Sequence, residues 1–399
     1  METVDLPVMP PLEPMLAKAQ AKVPVEAGVW SYEPKWDGFR ALVFRDGDKV
    51  VVQSRNGKEL GRYFPELEQA LRDELAPRCV LDGEVVVPRE VGGRIRLDWE
   101  SLSQRIHPAA SRIEMLAEQT PAHFIGFDAL ATGDTSLLKE PFRVRRRALS
   151  ESVNENLLRT RGARNIRCHI TRTTEDPEQG AQWLDTFEGA GLDGVIAKRL
   201  DGPYLPGKRE MVKVKHARDA DCVAIGYRIH KSGEGVGSIL LGLYRDDGEL
   251  QMVGGAASFT AKDRLKLLAD LEALREGDEA VDGAPSRWNS AADKRWIPVR
   301  PEKVCEVAYD QMEGNTVHGA GGPATSGHGA GGPATSGHGA GGSATSGHGA
   351  GGSATSGHGR RFRHAVKFVR WRPDRDPQSC TFDQLDAPLN YDLYDVLES

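Results

Sequence analysis

Between residues 41 and 54 the chain reads ALVFRDGDKVVVQS, two apolar runs on either side of Asp46-Gly47. That is the pattern of a β-hairpin closed by a tight turn. VLDGEVVV, HFIGFDAL, DGVIAKRL and MVKVKH are four more short runs, mostly apolar or β-branched, and each predicts a strand. Helical spacing lies between them. PELEQALRDEL sets Leu67, Leu71 and Leu75 on one face, with Pro65 suited to the first turn. PFRVRRRALSESV and AQWLDTFEGAG predict two further helices. Together these elements predict an α+β domain built on antiparallel sheet and ending near Lys215.

The polar stretch HARDA, residues 216–220, breaks the pattern. Beyond it, DCVAIGYRI, GSILLGLY and ELQMVGGAA read as strands, the last two around the turn Asp246-Asp247-Gly248. TAKDRLKLLADLEALREG then predicts an amphipathic helix. Its stripe is Leu267, Leu268, Leu271 and Leu274, widened by Leu265, with Thr260 as N-cap and Gly277 as the stop. KVCEVAYDQMEG and RHAVKFVRWR follow, on either side of a repeat. About five strands and one helix predict a small β-barrel of the OB type.

Composition fits that two-domain picture. The chain has 399 residues, 39% apolar and 28% charged, the balance of a globular protein. Its apolar runs are too short to span a bilayer, and METVDLPVMPPLEPMLAK lacks the apolar centre of a signal peptide. The five cysteines (Cys79, Cys168, Cys222, Cys305, Cys380) form no C-x-x-C pair, which argues against zinc or a disulfide framework and for the cytoplasm. A net charge of −6 argues against a nucleic-acid partner until its distribution is considered. Residues 360–375, RRFRHAVKFVRWRPDR, carry seven Lys/Arg, one acid and interleaved aromatics, a stripe suited to phosphates.

The densest chemistry is at Glu33-Pro34-Lys35-Trp36-Asp37-Gly38-Phe39-Arg40. One tight turn there gathers an amine, a carboxylate and a guanidinium. An amine beside another cation can act as a nucleophile, Arg40 can neutralise a phosphate, and Asp37 can hold a metal or orient the amine. A surface hairpin with a solvated lysine explains the same residues equally well. The ordered series downstream decides between them. Ser54-Arg55-Asn56-Gly57, Asp82-Gly83-Glu84, Phe127-Asp128, Asp193-Gly194-Val195-Ile196-Ala197-Lys198 and Lys213-Val214-Lys215 follow in turn. Each piece alone is more often structural, but the whole series in this order is not a chance arrangement.

This series resembles that of the ATP-dependent DNA ligases of the covalent nucleotidyltransferase superfamily. The resemblance runs from about Pro11 to the C-terminal region and is nearest to the stand-alone bacterial ligase C type, including PLEPMLAK and the late RFRH and FVRWRPDRDP. It implies a nucleotidyltransferase (adenylation) domain over 1–217 and an OB domain over 218–399. It also implies ATP and Mg²⁺ as cofactors and nicked duplex DNA as substrate. Three steps are implied: adenylation of a lysine, AMP transfer to a 5′-phosphate, and attack by a 3′-hydroxyl. A role in DNA repair, a gap-filling repair polymerase as partner and a monomeric state are expectations of the same kind.

Carried onto this sequence, the resemblance makes Lys35 the nucleophile. It puts Glu33 beside the adenine, Phe127 stacked on it, and Arg40 and Glu84 at the ribose. Arg55 would meet a phosphate of nick or nucleotide, Lys198 the adenylate, and Lys213 and Lys215 the α-phosphate. Asp37 and Asp193 would form the Mg²⁺ environment. Arg372, Asp374 and Arg375 match the last motif of the family, which orients the leaving pyrophosphate when the OB domain closes. Two positions depart from the pattern: Asp193 stands where Glu is usual, and Arg375 where Lys is frequent. Such sites work by cations and metal offsetting nucleotide charge and aligning attacker with leaving group.

An RNA ligase or a GTP-dependent capping-type enzyme shares the lysine motif and remains an alternative, although RWRPDR and the barrel favour DNA. A catalytically inactive nucleic-acid-binding module would have lost the lysine or the acids, and both are present. An NAD-dependent ligase would bring a zinc-binding cysteine cluster.

From His318 a ten-residue unit, HGAGGPATSG with small changes, repeats four times. In the family pattern MEG runs almost directly into RFRH, so residues 315–359 read as a loop inserted within the OB domain. Gly, Ala, Ser and Thr there cannot bury a core, which predicts disorder. Lengthening a loop from about five to about forty-five residues costs only about 2 kcal/mol in closure entropy. The ten-residue spacing of His318, His328, His338, His348 and His358 pre-forms no metal site.

Overall fold

The computed structural model describes residues 4–91, 93–153, 165–215, 218–277, 295–313, 360–385 and 391–397. The chain divides into two compact units. One takes the residues up to Arg218 and those from Leu385 onward, and the other runs from Asp219 to Gln384. The boundary expected at 217/218 therefore falls one residue later. The C-terminal segment, assigned from sequence to the second domain, belongs to the first. The repeat at 315–359 and its predicted disorder lie outside the described residues.

In chain order the strands of the first unit are β1 (Leu16–Gln20), β2 (Trp30–Pro34), β3 (Phe39–Asp46), β4 (Lys49–Ser54), β5 (Arg78–Val86) and β6 (Pro88–Val91). They continue with β7 (Arg94–Leu97), β8 (His123–Thr132), β9 (Thr135–Ser136), β10 (Cys168–Ile170), β11 (Val195–Arg199) and β12 (Arg209–Val214). One sheet has the order β10-β8-β5-β3-β4, with β9 added to β8. A second has the order β1-β12-β11-β2, and β6 and β7 pair as a separate hairpin. Most neighbours are antiparallel, as expected, but β10 joins β8 and β1 joins β12 in parallel. The β8–β10 pair is reached through the Phe142–Ser152 helix, the kind of crossover a parallel pair requires.

Strand β3 shows why the large sheet sits inside the unit. Ala41 and Val43 face one apolar cluster, packed with Leu67 and Leu71. Leu42 and Phe44 face another, packed with Met15, Tyr204 and Met211. The hairpin at Asp46-Gly47 is present, with Gly47 at φ 62°. The Pro65–Glu74 helix begins on its proline and buries Leu67 and Leu71, with Leu75 buried at its C-cap. Each buried leucine stabilises the fold by about 2 kcal/mol. The helix read from AQWLDTFEGAG is Pro177–Thr186, capped by the Asp176 carboxylate on the Glu178 amide at 2.9 Å. Helices Trp99–Gln104 and Ala110–Gln119 were not expected.

A short helix, Leu393–Leu397, completes the first unit by burying Leu393, Tyr394 and Val396. The Tyr391 ring lies 5.3 Å from that of Phe187, and the Ile95 amide donates to the Asp392 carboxylate at 3.0 Å.

The second unit contains β13 (Arg218–Ile229, all but its first residue), β14 (Val236–Tyr244), β15 (Leu250–Ala257), β16 (Ile297–Pro298), β17 (Val304–Tyr309), β18 (Met312–Glu313), β19 (Arg361–Phe362) and β20 (Val366–Trp371). Pairing runs β14-β15-β20-β17-β13, and β13 pairs back onto β14, so five strands close into a barrel. The β15–β20 pair is parallel. The Ala261–Glu272 helix lies between β15 and β17 in sequence, with the Thr260 hydroxyl accepting from the Asp263 amide at 3.2 Å. It ends before the Gly277 predicted as its stop. Leu267, Leu271 and Leu274 are buried, whereas Leu265 is 57% exposed, so the apolar stripe is narrower than the sequence suggested. Strands β18 and β19, which flank the repeat in sequence, pair with each other.

All five cysteines are free and buried. Among the described residues, no helix is long and apolar enough to cross a membrane.

Candidate active site

A cleft in the first unit is lined from both large sheets. Leu16, Lys35, Arg209, Met211 and Lys213 come from one side, and Arg40, Arg55, Glu84 and Phe127 from the other. Lys35 directly follows β2. Its amide donates to the Gly194 carbonyl at 2.8 Å, and the Asp193 amide returns a bond to the Lys35 carbonyl at 3.2 Å. These reciprocal bonds fix the Lys35 turn against the Asp193 turn. Both turns need glycine. A Cβ at Gly38 would lie 2.1 Å from the Val85 carbonyl oxygen, and one at Gly194, which also has φ +149°, would lie 2.2 Å from that of Val214.

Lys35 and Lys215 share one carboxylate. Lys35 Nζ lies 2.7 Å from Asp193 Oδ1, and Lys215 Nζ lies 2.9 Å from Oδ2. Burial opposes ionisation of Asp193, but the two ammoniums outweigh it and hold the carboxyl below the usual aspartate range. Burial, reinforced by the Lys35 and Lys215 charges, lowers Lys213. The cleft thus concentrates positive charge around one buried carboxylate, the electrostatics suited to a polyphosphate.

At the other end, Glu33 and Lys198 form a buried pair at 2.9 Å. Lys198 Nζ also donates to the Phe127 carbonyl at 2.8 Å and sits 4.7 Å from the centre of the Phe127 ring. Lys198 is expected at the adenylate. Its amine faces Glu33 and Phe127, the residues expected at the adenine, and the Asp128 carboxylate lies 4.0 Å away, so these oxygens balance its buried charge. Glu33 lines the cleft, and its Oε2 is buried with no hydrogen-bond partner among the described residues.

Arg40 extends alongside. Its Cζ lies 4.5 Å from the centre of the Phe127 ring, and its Nε and Nη2 each donate to the Asp82 carboxylate at 2.6 Å. The Tyr204 hydroxyl donates to the same carboxylate at 2.7 Å and accepts from the Met15 amide at 2.9 Å. The sequence presents Asp82 only as part of a strand motif and does not single out Tyr204. A carboxylate followed by Gly-Glu in an apolar strand was the available signal for Asp82. A tyrosine in a loop carries none.

Glu84 accepts from the Gly38 amide at 3.2 Å, and burial pushes its carboxyl up to about 7 against the pull of Arg40 and Lys35. Arg55 lines the cleft from an exposed turn after β4. Asp37 is half-buried within the Lys35 turn.

The remaining candidates lie in the second unit. Arg372 donates through Nη2 to Asp374 at 2.9 Å and through Nη1 to Asp221 at 3.2 Å, and Arg375 lies 3.6 Å from Asp221. The bond from Arg372 holds the Asp374 carboxyl down at about 2. Asp221, which gathers both arginines, carried no sequence signal.

Comparison with known proteins identifies the family. A family model described as ATP dependent DNA ligase domain matches residues 14–215. A second, ATP dependent DNA ligase C terminal region, matches residues 232–375. DNA ligase C1 of Mycolicibacterium smegmatis is 74% identical over 395 residues, covering 99% of each chain. DNA ligase C of Mycobacterium tuberculosis is 44% identical over 411 residues, again covering 99% of each. The solved ligase domain of M. tuberculosis LigD is 26% identical over 93% of this chain and 98% of its own, at a TM-score of 0.40. The chain belongs to the ATP-dependent DNA ligases, and among them to the bacterial ligase C type.

Proposed function

We propose that this ligase seals nicks in duplex DNA through a lysyl-AMP intermediate on Lys35. The observation that carries the reading is the placement of Lys35 in a cleft with Arg40, Lys213 and, through Asp193, Lys215. Lys35 Nζ, once its ammonium has released a proton to solvent, would form a bond to the α-phosphorus of ATP as pyrophosphate leaves. Asp193, held ionised, orients that amine, while Lys213 and Lys215 offset charge on the α-phosphate. AMP would then pass to a 5′-phosphate, and the 3′-hydroxyl would displace it. Glu33, with its free acceptor, and Phe127 would receive the adenine, Arg40 and Glu84 the ribose, and Arg55 a phosphate.

The described residues hold no group of three or more His, Cys, Asp or Glu placed to bind an ion. Mg²⁺ takes most of its ligands from phosphates and water. Asp37 and Asp193 would be its protein contacts, and when bound it offsets charge on the phosphate oxygens. In the second unit, the strand order and the helix between the third and fourth barrel strands support an OB fold. Arg372, Asp374 and Arg375 would act on the leaving pyrophosphate. A repair role, a monomeric state, a cytoplasmic location and a gap-filling polymerase as partner belong to the same proposal.

The test is incubation with ATP or GTP labelled at the α-phosphate, followed by nicked DNA or nicked RNA. Label should stay on the protein with ATP, disappear in Lys35→Ala, and move to nicked DNA. Labelling of Lys35→Ala would refute the mechanism, and preference for RNA nicks the substrate.

A further inference from the structure

We infer that Lys198 is the residue that makes this enzyme choose adenine, by fixing Glu33 as a pure hydrogen-bond acceptor at the base end of the cleft. The inference rests on the reading of that cleft as the nucleotide site and deepens it. The Glu33 side chain is 4% exposed and Lys198 3%, so neither charge is screened by solvent. One Glu33 oxygen is taken by Lys198 at 2.9 Å, and the other is buried without a partner among the described residues, in a residue that lines the cleft. An ionised carboxylate can only accept, so that oxygen welcomes a donor and repels another lone pair. Adenine carries an amino group at its 6-position. Guanine and hypoxanthine carry a carbonyl oxygen there.

Protonation would reverse the choice, because a neutral carboxylic acid can donate to a carbonyl oxygen. Burial favours that neutral form. The charges that face Glu33 are Lys198 on β11, Arg146 on the Phe142–Ser152 helix and Asp128 on β8. Asp128 opposes ionisation, and Arg146 is not hydrogen-bonded to Glu33; its Nη2 donates to the Thr171 carbonyl at 2.5 Å. Burial outweighs the opposing charges and raises the Glu33 carboxyl above its ordinary range; Lys198 makes the direct contact and is the group that most opposes that rise. The same amine donates to the Phe127 carbonyl at 2.8 Å, so it also fixes the aromatic residue on which the base would lie. Lys198 is therefore a positioning and specificity-determining residue that acts through Glu33 and Phe127.

The experiment measures protein labelling by α-labelled ATP, ITP and GTP. In the parent enzyme and in Lys198→Arg, which keeps the charge, ATP should be favoured over ITP by about 100-fold or more. Lys198→Met should bring the ATP-to-ITP ratio within about tenfold, the change falling in the KM ratio rather than in a common loss of kcat. Lys198→Met leaves a buried acid without its partner, so the charge-balanced double variant Glu33→Gln/Lys198→Met provides a second reading. An amide can donate as well as accept, and the double variant should show the same relaxed ratio. A ratio within about threefold of the parent value in these variants, or an equal loss with every nucleotide, overturns the proposal. Glu33→Ala separates the two levels of the argument. An unchanged ratio there fails the placement of the base itself. A changed ratio there, with Lys198 variants still like the parent, fails only the role given to Lys198.

Discussion

Removing the Asp193 carboxylate tests the charge arrangement of the cleft directly. Asp193→Asn preserves shape but deletes the charge that Lys35 and Lys215 share at 2.7 and 2.9 Å. The Asp193 side chain is 6% exposed, and those of the lysines are 21% and 25% exposed, so solvent screens the group only in part. At about 3 Å and an effective dielectric of about 20, each attraction is about 5–6 kcal/mol gross. Desolvation offsets most of that, and breaking such a pair from one side costs about 3–5 kcal/mol. Partial exposure of the lysines favours the lower end, about 3 kcal/mol, or a fall in Tm of about 6–12 °C for a unit of this size. The sign with pH is also fixed. A depressed carboxyl stabilises the fold above the ordinary aspartate value of 3.8 and loses that contribution as pH falls. Asp193→Asn should therefore lose stability at neutral pH and approach the parent enzyme in acid. Loss of the group that orients the nucleophile should slow adenylation by about 100-fold or more. Differential scanning fluorimetry from pH 3 to 8 and single-turnover labelling with ATP supply both readouts. A variant with parent-like Tm at neutral pH and labelling within about threefold would refute the argument that Asp193 organises the two amines.

Three further outcomes are expected. Gly38→Ala drives a Cβ to 2.1 Å from the Val85 carbonyl, so the Lys35 turn must shift. A loss of about 1–3 kcal/mol by urea denaturation should accompany lost labelling, and a normal enzyme would show that the turn yields without harm. Glu84, with its carboxyl pushed up to about 7 from 4.5, retains a proton that the unfolded chain has released. Its contribution to stability therefore falls as pH rises between those values. Glu84→Gln should flatten that part of the stability curve, and urea midpoints at pH 5 and 8 that differ as in the parent would refute it. Deleting residues 315–359 leaves β18 and β19 to be joined directly across their existing pair, so labelling and nick sealing should stay within about threefold of the full chain. A larger loss would give the repeat a role in catalysis.

The parts of this molecule that were legible in the sequence are those set by local pattern. Asp46-Gly47 announced its hairpin, Pro65 and the three leucines after it announced a helix, and Thr260 its cap. Lys35, Arg40, Glu84 and Phe127, singled out by their order along the chain, line one cleft, and Asp193 pairs with Lys35. What stayed hidden depends on contacts between distant residues. Nothing local says that Tyr204 will reach Asp82, 122 positions away, or that Lys198 will pair with Glu33. Leu265 matched the apolar stripe by spacing yet faces water, because the barrel meets only a narrower strip of its helix.

The short helix Leu393–Leu397 has a consequence for how the protein can be made and cut. Leu393 and Val396 share an apolar cluster with Trp183, Phe187, Val195 and Val214, all from the part of the chain synthesised first. A ribosome therefore releases most of the ligase before the first unit can finish its own core. Domains otherwise tend to complete in order of synthesis, from the N-terminus onward. A fragment cut after Arg218 would carry every cleft residue and still leave that cluster open, whereas a circular permutant that begins at Leu385 would supply its missing piece at the start.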